Sequence, residues 1–221
     1  MICWGHWRTI NGKRVCIKDP LSKPLIFLTF ALITSAIAGG TAVGAAPVGG
    51  ATAEATVTQS LSVRITNSKK AARQGRHSEA WLRMGLRSVS RQVRHDPECA
   101  ADSFGQVREC FLAEPCRGLQ RSLFKISDNK GSAIVVSVAW VRMPSAVSAR
   151  HLKRLVDKPG TGNISPIADD ALVGVRFTGK HYASRRTGSV VVIAEAAAGS
   201  GQPGAAVLNG VAEVAAEFPS P

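Results

Sequence analysis

The spacing of apolar residues beyond residue 60 predicts alternating helices and strands. The first regular stretch carries four apolar residues at spacings of four, three and four, the spacing of one helix face: Leu82, Leu86, Val89 and Val93. This pattern predicts an amphipathic helix over 78–94 with Ser78 as its N-cap. A second, shorter helix is predicted over 102–113, because Pro115 prevents its continuation.

The central part of the chain has the features of a β-hairpin. Apolar and polar residues alternate within 119–127, and 133–141 is rich in β-branched residues. Between them, 128–131 is typical of a turn, with Gly131 suited to a positive φ. Because both faces of 133–141 are mostly apolar, we expect a central strand that is covered on both sides.

The C-terminal third repeats this order of elements. It predicts a helix over 144–156, a loop over 157–171, a hairpin pairing 172–178 with 189–194, and a last helix after the Gly/Ser/Pro break at 199–204. The predicted fold class is therefore α+β, with an antiparallel sheet of about four strands (two hairpins) packed by helices.

A long uncharged stretch precedes this predicted domain. No charged residue lies between Lys23 and Glu54, and 25–46 is apolar enough for one N-terminal transmembrane helix or an export signal. The basic residues of 1–24 predict a tail that stays in the cytoplasm. The predicted topology is a single-pass anchor in the cell membrane with the C-terminal domain outside the cytoplasm.

Two boundaries follow from this topology. Small, polar residues over 47–60 predict a flexible linker, and 61–221 is left as the extracytoplasmic α+β domain. Secretion after cleavage remains an alternative to the anchor, because Ala36–Ala38 and Ala51–Ala53 both fit a small-x-small peptidase site. The length of the leading segment favours the anchor.

Cysteine positions agree with an oxidising exterior. Two of the three cysteines beyond the apolar stretch are expected to pair. The pairing predicted is Cys99 with Cys116, because these two bracket the helix 102–113 whereas Cys110 lies within it. Closing this loop stabilises the fold by about 3 kcal/mol.

The net charge of +13 is shared by both predicted soluble parts. A basic exported domain is attracted to anionic lipid or acidic wall polymer, or to another envelope protein. The candidate contacts are arginines along the predicted helix 78–94 and at the tip of the second hairpin: Arg83, Arg87, Arg91, Arg94, Arg185 and Arg186. Nucleic acid is a poorer partner, because aromatic residues do not alternate with these arginines.

Catalytic and metal-binding motifs are weak. Carboxylates and an imidazole, the residue types of an acid–base site, occur at Asp169, Asp170 and His181. Their spacing in the sequence does not show that these side chains converge on one point. Cys3, His6 and Cys16 provide three potential zinc ligands without a fourth nearby. The sequence therefore predicts no catalytic residues, no metal site and no cofactor.

Several short runs resemble a known group of proteins: Ser103–Arg108, Pro115-Cys116, Val136–Val141, Gly160–Asn163 and His181–Arg185. They resemble a family of uncharacterised single-pass exported, membrane-anchored proteins of actinobacteria, over about 55–220. The resemblance implies the topology and no activity. That family has an aromatic residue where this chain has Cys110, so the resemblance leaves open which cysteine is unpaired.

Three functions are compatible with these features. The first is a membrane-anchored binding, sensor or accessory domain of the cell envelope without catalytic activity, which the sequence favours. The second is an envelope hydrolase or transferase that uses Asp169, Asp170 or His181. The third is a peripheral module that binds anionic lipid or nucleic acid through the arginine-rich helix.

Overall fold

The computed structural model describes the backbone of residues 6–10, 13–17 and 53–221, and side chains from residue 60 onward except residue 171. The chain divides into two compact units, 1–48 and 49–221. In the first, β1 (His6–Ile10) and β2 (Lys13–Ile17) form an antiparallel pair. The predicted transmembrane segment 25–46 lies outside the described residues. Within the described ranges, no helix is both long and apolar enough to cross a bilayer.

The second unit is built on a five-stranded antiparallel sheet with the order β3-β4-β5-β7-β6. Its strands are β3 (Arg87–Asp96), β4 (Gly118–Ser127), β5 (Ala133–Arg142), β6 (Tyr182–Thr187) and β7 (Val190–Ser200). The predicted α+β class is confirmed, with one more strand than predicted. β5 is the central strand and is buried on both faces, as its apolar composition predicted.

Helices cover the sheet on both sides. Their bounds are α1 (Ala53–Arg73), α2 (His77–Met84), α3 (Gly105–Ala113), α4 (Ala146–Val156) and α5 (Ala205–Ala215), with a 3₁₀ turn at Asp170–Leu172. α1, α2 and α5 pack on one side of the sheet, and α3 and α4 on the other. Because α1 begins at Ala53, residues 53–60 of the predicted flexible linker are helical.

The predicted helix over 78–94 is confirmed for 78–84 and wrong beyond them. α2 ends at Met84, because Gly85 adopts a left-handed conformation with φ 77°. The chain then continues as β3, which pairs with β4 at the edge of the sheet from Arg87 to Asp96, with a register shift between Ser88 and Ser90. Val89 and Val93 are 57% and 39% exposed there. The helical spacing of these two valines therefore does not reflect a buried helix face. The backbone N–H and C=O groups of this segment form hydrogen bonds with β4 and not within a helix.

The predicted pairing of the second hairpin is also wrong. Its strands are β6 and β7, joined by a tight turn at Gly188-Ser189. Residues 172–178 are not a strand, and Gly174 within them has a φ of 77°. Their apolar side chains pack as a loop against Leu123, Val135 and Ile167 of the core: Leu172, Val175 and Phe177. The apolar spacing in 172–178 thus reflects burial of a loop.

The side of the sheet covered by α1, α2 and α5, here named the aromatic face, is filled by large rings. Trp81, Phe124 and Phe218 are fully buried, and the Trp81 ring lies edge-on to the other two at 5.8 and 5.1 Å between ring centroids. Trp140 donates from Nε1 to the Phe218 carbonyl at 2.9 Å. This hydrogen bond fixes the chain after α5 against the central strand.

Candidate functional site

The opposite side of the sheet, here named the cavity face, holds a cavity of about 840 Å³. β5, β6 and β7 form its floor, while the end of α4 and the loops on either side of residue 170 form its walls. Most of the lining is apolar, including Ile193 of the floor and, in the walls, Ile164, Leu172, Val175 and Phe177. A concave, largely apolar space with a few polar groups is the usual form of a small-molecule site.

Three polar side chains form a row across the cavity floor. Ser137, Glu195 and Tyr182 are register neighbours on β5, β7 and β6. Glu195 is only 7% exposed, and its Oε1 accepts a hydrogen bond from the Gly179 backbone N–H. Burial raises the pKa of Glu195, although backbone hydrogen bonds from Gly179 and Thr178 act in the opposite direction.

A second carboxylate, Asp157, lies at the end of α4 and lines the cavity. It accepts hydrogen bonds from the Tyr182 hydroxyl at 3.1 Å and from the Ser184 hydroxyl, and it pairs with Lys153 Nζ at 2.5 Å. Burial alone raises the pKa of Asp157, but the bonds from Lys153 and Ser184 lower it overall. Burial also raises the pKa of Tyr182, so its phenol stays protonated and donates to Asp157.

The glycine-rich run 160–163 forms one rim of the cavity. Gly162 has a φ of 99°, and a Cβ there would lie 2.0 Å from the Phe104 carbonyl oxygen. The Phe104 and Val107 N–H groups donate to the carbonyls of Asn163 and Thr161 at 3.1 and 3.3 Å. The run is a turn that joins the start of α3 to the loop after α4. Only glycine permits this close approach.

Four of the six candidate arginines make contacts within the domain. Arg83 pairs with Glu79 at 2.5 Å, and the Arg91 guanidinium lies 5.4 Å above the centre of the Phe124 ring. On β6, Arg185 Nε lies 3.5 Å from a carboxylate oxygen of Glu217, and Arg186 donates to the Gly188 carbonyl at 2.7 Å. Much of their hydrogen-bonding and charge capacity is therefore used within the domain.

The remaining two, Arg87 and Arg94, are exposed on β3. The strand register places both on the side of the sheet opposite Arg91, because their partners on β4 are Ser127 and Arg121 whereas Arg91 faces Phe124. Since successive side chains of a strand point to opposite faces, the four arginines of 83–94 do not form one stripe.

The structure also separates the residues proposed for acid–base chemistry. The Gln92 amide of β3 donates to Asp169, whereas His181 Nδ1 lies 2.8 Å from Asn209 Oδ1 of α5. β3 and β6, which follows His181, are opposite edges of the sheet. Asp170 begins the 3₁₀ turn, and none of these three residues lines the cavity.

The predicted disulfide is confirmed. Cys99 is bonded to Cys116, with the Cα atoms 6.1 Å apart, and the bond closes the segment that contains α3. Cys110 is unpaired, and its Sγ lies 4.0 Å from His151 Nδ1. Burial, with the charge of Glu114, raises the pKa of the Cys110 thiol, which leaves it weakly nucleophilic.

Sequence reasoning missed Glu195 and Asp157. Glu195 had a detectable signal, because it is a single acidic residue within the apolar run 190–198. In the part of the chain that the structure describes, no group of three or more His, Cys, Asp or Glu is placed to hold a metal ion. Comparisons with family models, curated proteins and solved structures found no match to this chain.

Proposed function

We propose that this protein is a non-catalytic, single-pass membrane-anchored domain of the cell envelope that binds a small molecule. The observation that carries the proposal is the 840 Å³ cavity with a row of polar side chains on its floor. Its size suits a ligand of drug-like dimensions, and its apolar walls can exclude water from most of the ligand surface.

The location of the domain rests on two independent features. The Cys99–Cys116 disulfide is typical of an oxidising compartment, because cytosolic thiols are kept reduced. The uncharged segment 25–46 after a basic tail is typical of a membrane anchor. Together they favour a domain held at the outer side of the cell membrane.

The two alternative functions have less geometric support. A hydrolase or transferase acting through Asp169, Asp170 or His181 requires these groups to converge, and they lie apart. A lipid- or nucleic-acid-binding arginine helix requires 78–94 to be one helix, and the segment is divided between α2 and β3. The cavity is therefore the stronger candidate site.

A cavity-filling substitution tests the binding function. Ser137 lies on the floor, so Ser137→Phe is expected to occupy the space, whereas Ser137→Ala leaves it open. Isothermal titration of the full-length protein in lipid nanodiscs with phenylbutanol, a neutral apolar alcohol, is expected to show binding to the wild type and to S137A. Binding to S137F should be lost while its thermal unfolding remains cooperative. Equal binding by S137F, or no binding by the wild type, would refute the proposal.

A further inference from the structure

We infer that the ligand of this cavity carries a protonated primary amine bound by Glu195 and an apolar body that packs against the loop 172–178. The inference rests on the proposed binding function and names its ligand class. It follows from the charge balance of the cavity floor, from the hydrogen-bond acceptors around Glu195, and from the apolar wall beside them.

The charge balance singles out Glu195. Among the described residues, no Lys or Arg forms an ion pair with Glu195, although this residue is only 7% exposed. Arg121, which is also buried, is by contrast paired within the protein: its guanidinium lies 2.8 Å from carboxylate oxygens of both Asp96 and Asp102. The charge of His181 acts on Glu195 without forming an ion pair with it. A buried carboxylate without an ion-pair partner is costly, and a cationic ligand supplies that close partner.

The acceptors on the floor match the donors of an ammonium group. A primary ammonium has three N–H donors, and the row offers three acceptors on adjacent strands: the carboxylate of Glu195, the hydroxyl of Ser137 and the phenol oxygen of Tyr182. Because Tyr182 donates its proton to Asp157, its own oxygen remains available to accept. The Gly179 and Thr178 N–H groups use only two of the roughly four acceptor positions of the Glu195 carboxylate.

The walls suit an apolar body. Leu172, Val175 and Phe177 line the cavity from one loop, and Phe104 at the start of α3 is 52% exposed beside it. Large apolar side chains that are exposed beside a cavity favour contact with an apolar ligand, because such contact removes their surface from water. Lys158 and Lys180 also line the cavity. Because these two lysines would attract an anionic ligand instead, the binding experiment must also include an anionic probe.

Three probes with the same phenylbutyl body separate these possibilities. Phenylbutylammonium, phenylbutanol and phenylbutanoate are titrated into the full-length protein in lipid nanodiscs at neutral pH, with empty nanodiscs as the blank. Because hydrogen bonds to charged groups are stronger than neutral ones, the ammonium is expected to bind about tenfold more tightly than the alcohol. The carboxylate should bind most weakly.

Glu195→Gln is the decisive variant, because Gln keeps the size and the acceptor oxygen for the Gly179 N–H but removes the charge. E195Q is expected to bind ammonium and alcohol within about twofold of each other, with alcohol affinity retained. Glu213→Gln is the matched control: Glu213 is on α5, pairs with Lys69 and lies outside the cavity, so its removal should leave the ammonium preference unchanged.

The outcomes distinguish this inference from the function on which it rests. Equal binding of ammonium and alcohol by the wild type, or a preference for the carboxylate, overturns the amine assignment and leaves a binding cavity. An ammonium preference that persists in E195Q overturns the role of Glu195. Failure of all three probes to bind counts against both the amine assignment and the cavity function.

Discussion

The two faces of the central sheet are filled in different ways. On the aromatic face, Trp81, Phe124 and Phe218 are in mutual contact and fully buried. On the cavity face, the same strands carry smaller side chains, including Ser137 and Ala139, and the space above them remains open over about 840 Å³. This contrast underlies our proposal that one face mainly stabilises the domain whereas the other binds a ligand.

The difference originates in what covers each face. Three helices lie over the aromatic face, and their apolar side chains reach a common core. The cavity face is covered by α3, α4 and the long segment 157–181, whose regular structure is one 3₁₀ turn and an isolated β-bridge between Ile164 and Ser103. Loops satisfy fewer of their backbone groups internally and pack less evenly than helices, so a gap is left between them and the sheet.

Truncating a large side chain on each face should give the largest contrast. Trp81→Ala removes a fully buried ring from the aromatic core and should lower the free energy of unfolding by about 3–5 kcal/mol. Phe177→Ala, on the cavity wall where the side chain is partly exposed, should lower it by about 1.5 kcal/mol or less. Urea denaturation of both variants measures the difference. Equal losses would show that both faces stabilise the fold alike.

Removing the disulfide tests how far the cavity face depends on a covalent link. The double variant Cys99→Ala, Cys116→Ala opens a segment with a sequence separation of 17. The loss should be about 3 kcal/mol in unfolding free energy, because the unfolded chain regains the entropy of that loop. Cys110→Ala is the control and should change stability much less, since Cys110 forms no disulfide. An unchanged urea midpoint for the double variant would contradict this prediction.

Much of the fold could be predicted from the sequence where one local pattern excluded the alternatives. The apolar residues on both faces of 133–141 left only a central strand, and the positions of Cys99 and Cys116 around a short helix left one favoured pair. The segment 78–94 was ambiguous, because Val89 and Val93 suit either a helix face or an edge strand. Pairing with β4 decides between them, and that pairing is not a local property.

The candidate site was harder to predict than the fold. Glu195 could be noticed as a lone acid in an apolar strand, but its neighbours Ser137 and Tyr182 come from distant parts of the sequence. They become adjacent only when β6 and β7 form a hairpin and β7 pairs with β5. The sequence around His181 instead predicted a turn at 179–188, where the structure has the whole of β6.

Acid titration should separate His77 of the aromatic face from Glu195 of the cavity face by the sign of their response. His77 lies on the aromatic face, with its ring 4.4 Å from Phe218 and 5.6 Å from Phe124 between centroids. Burial, with the charge of Arg91, lowers the pKa of His77 from 6.5 to about 4. Between these values the unfolded chain binds more protons than the folded one, so stability falls as pH decreases from 6.5 towards 4. His77→Phe should flatten that part of the curve.

The buried carboxyl of the cavity face should act in the opposite direction. The pKa of Glu195 is raised by burial, so its contribution is complete in acid and is lost as pH rises above the ordinary value of 4.5. In the wild type, the ionisation of Glu195 lowers the stability as pH rises above 4.5, and Glu195→Gln should abolish this decrease. The decrease in stability from pH 6.5 towards pH 4, which is due to His77, should persist in E195Q. Urea midpoints measured between pH 4 and 7 for the wild type, H77F and E195Q test both signs. If H77F kept the wild-type slope below 6.5, the acid sensitivity would have to arise from groups other than His77.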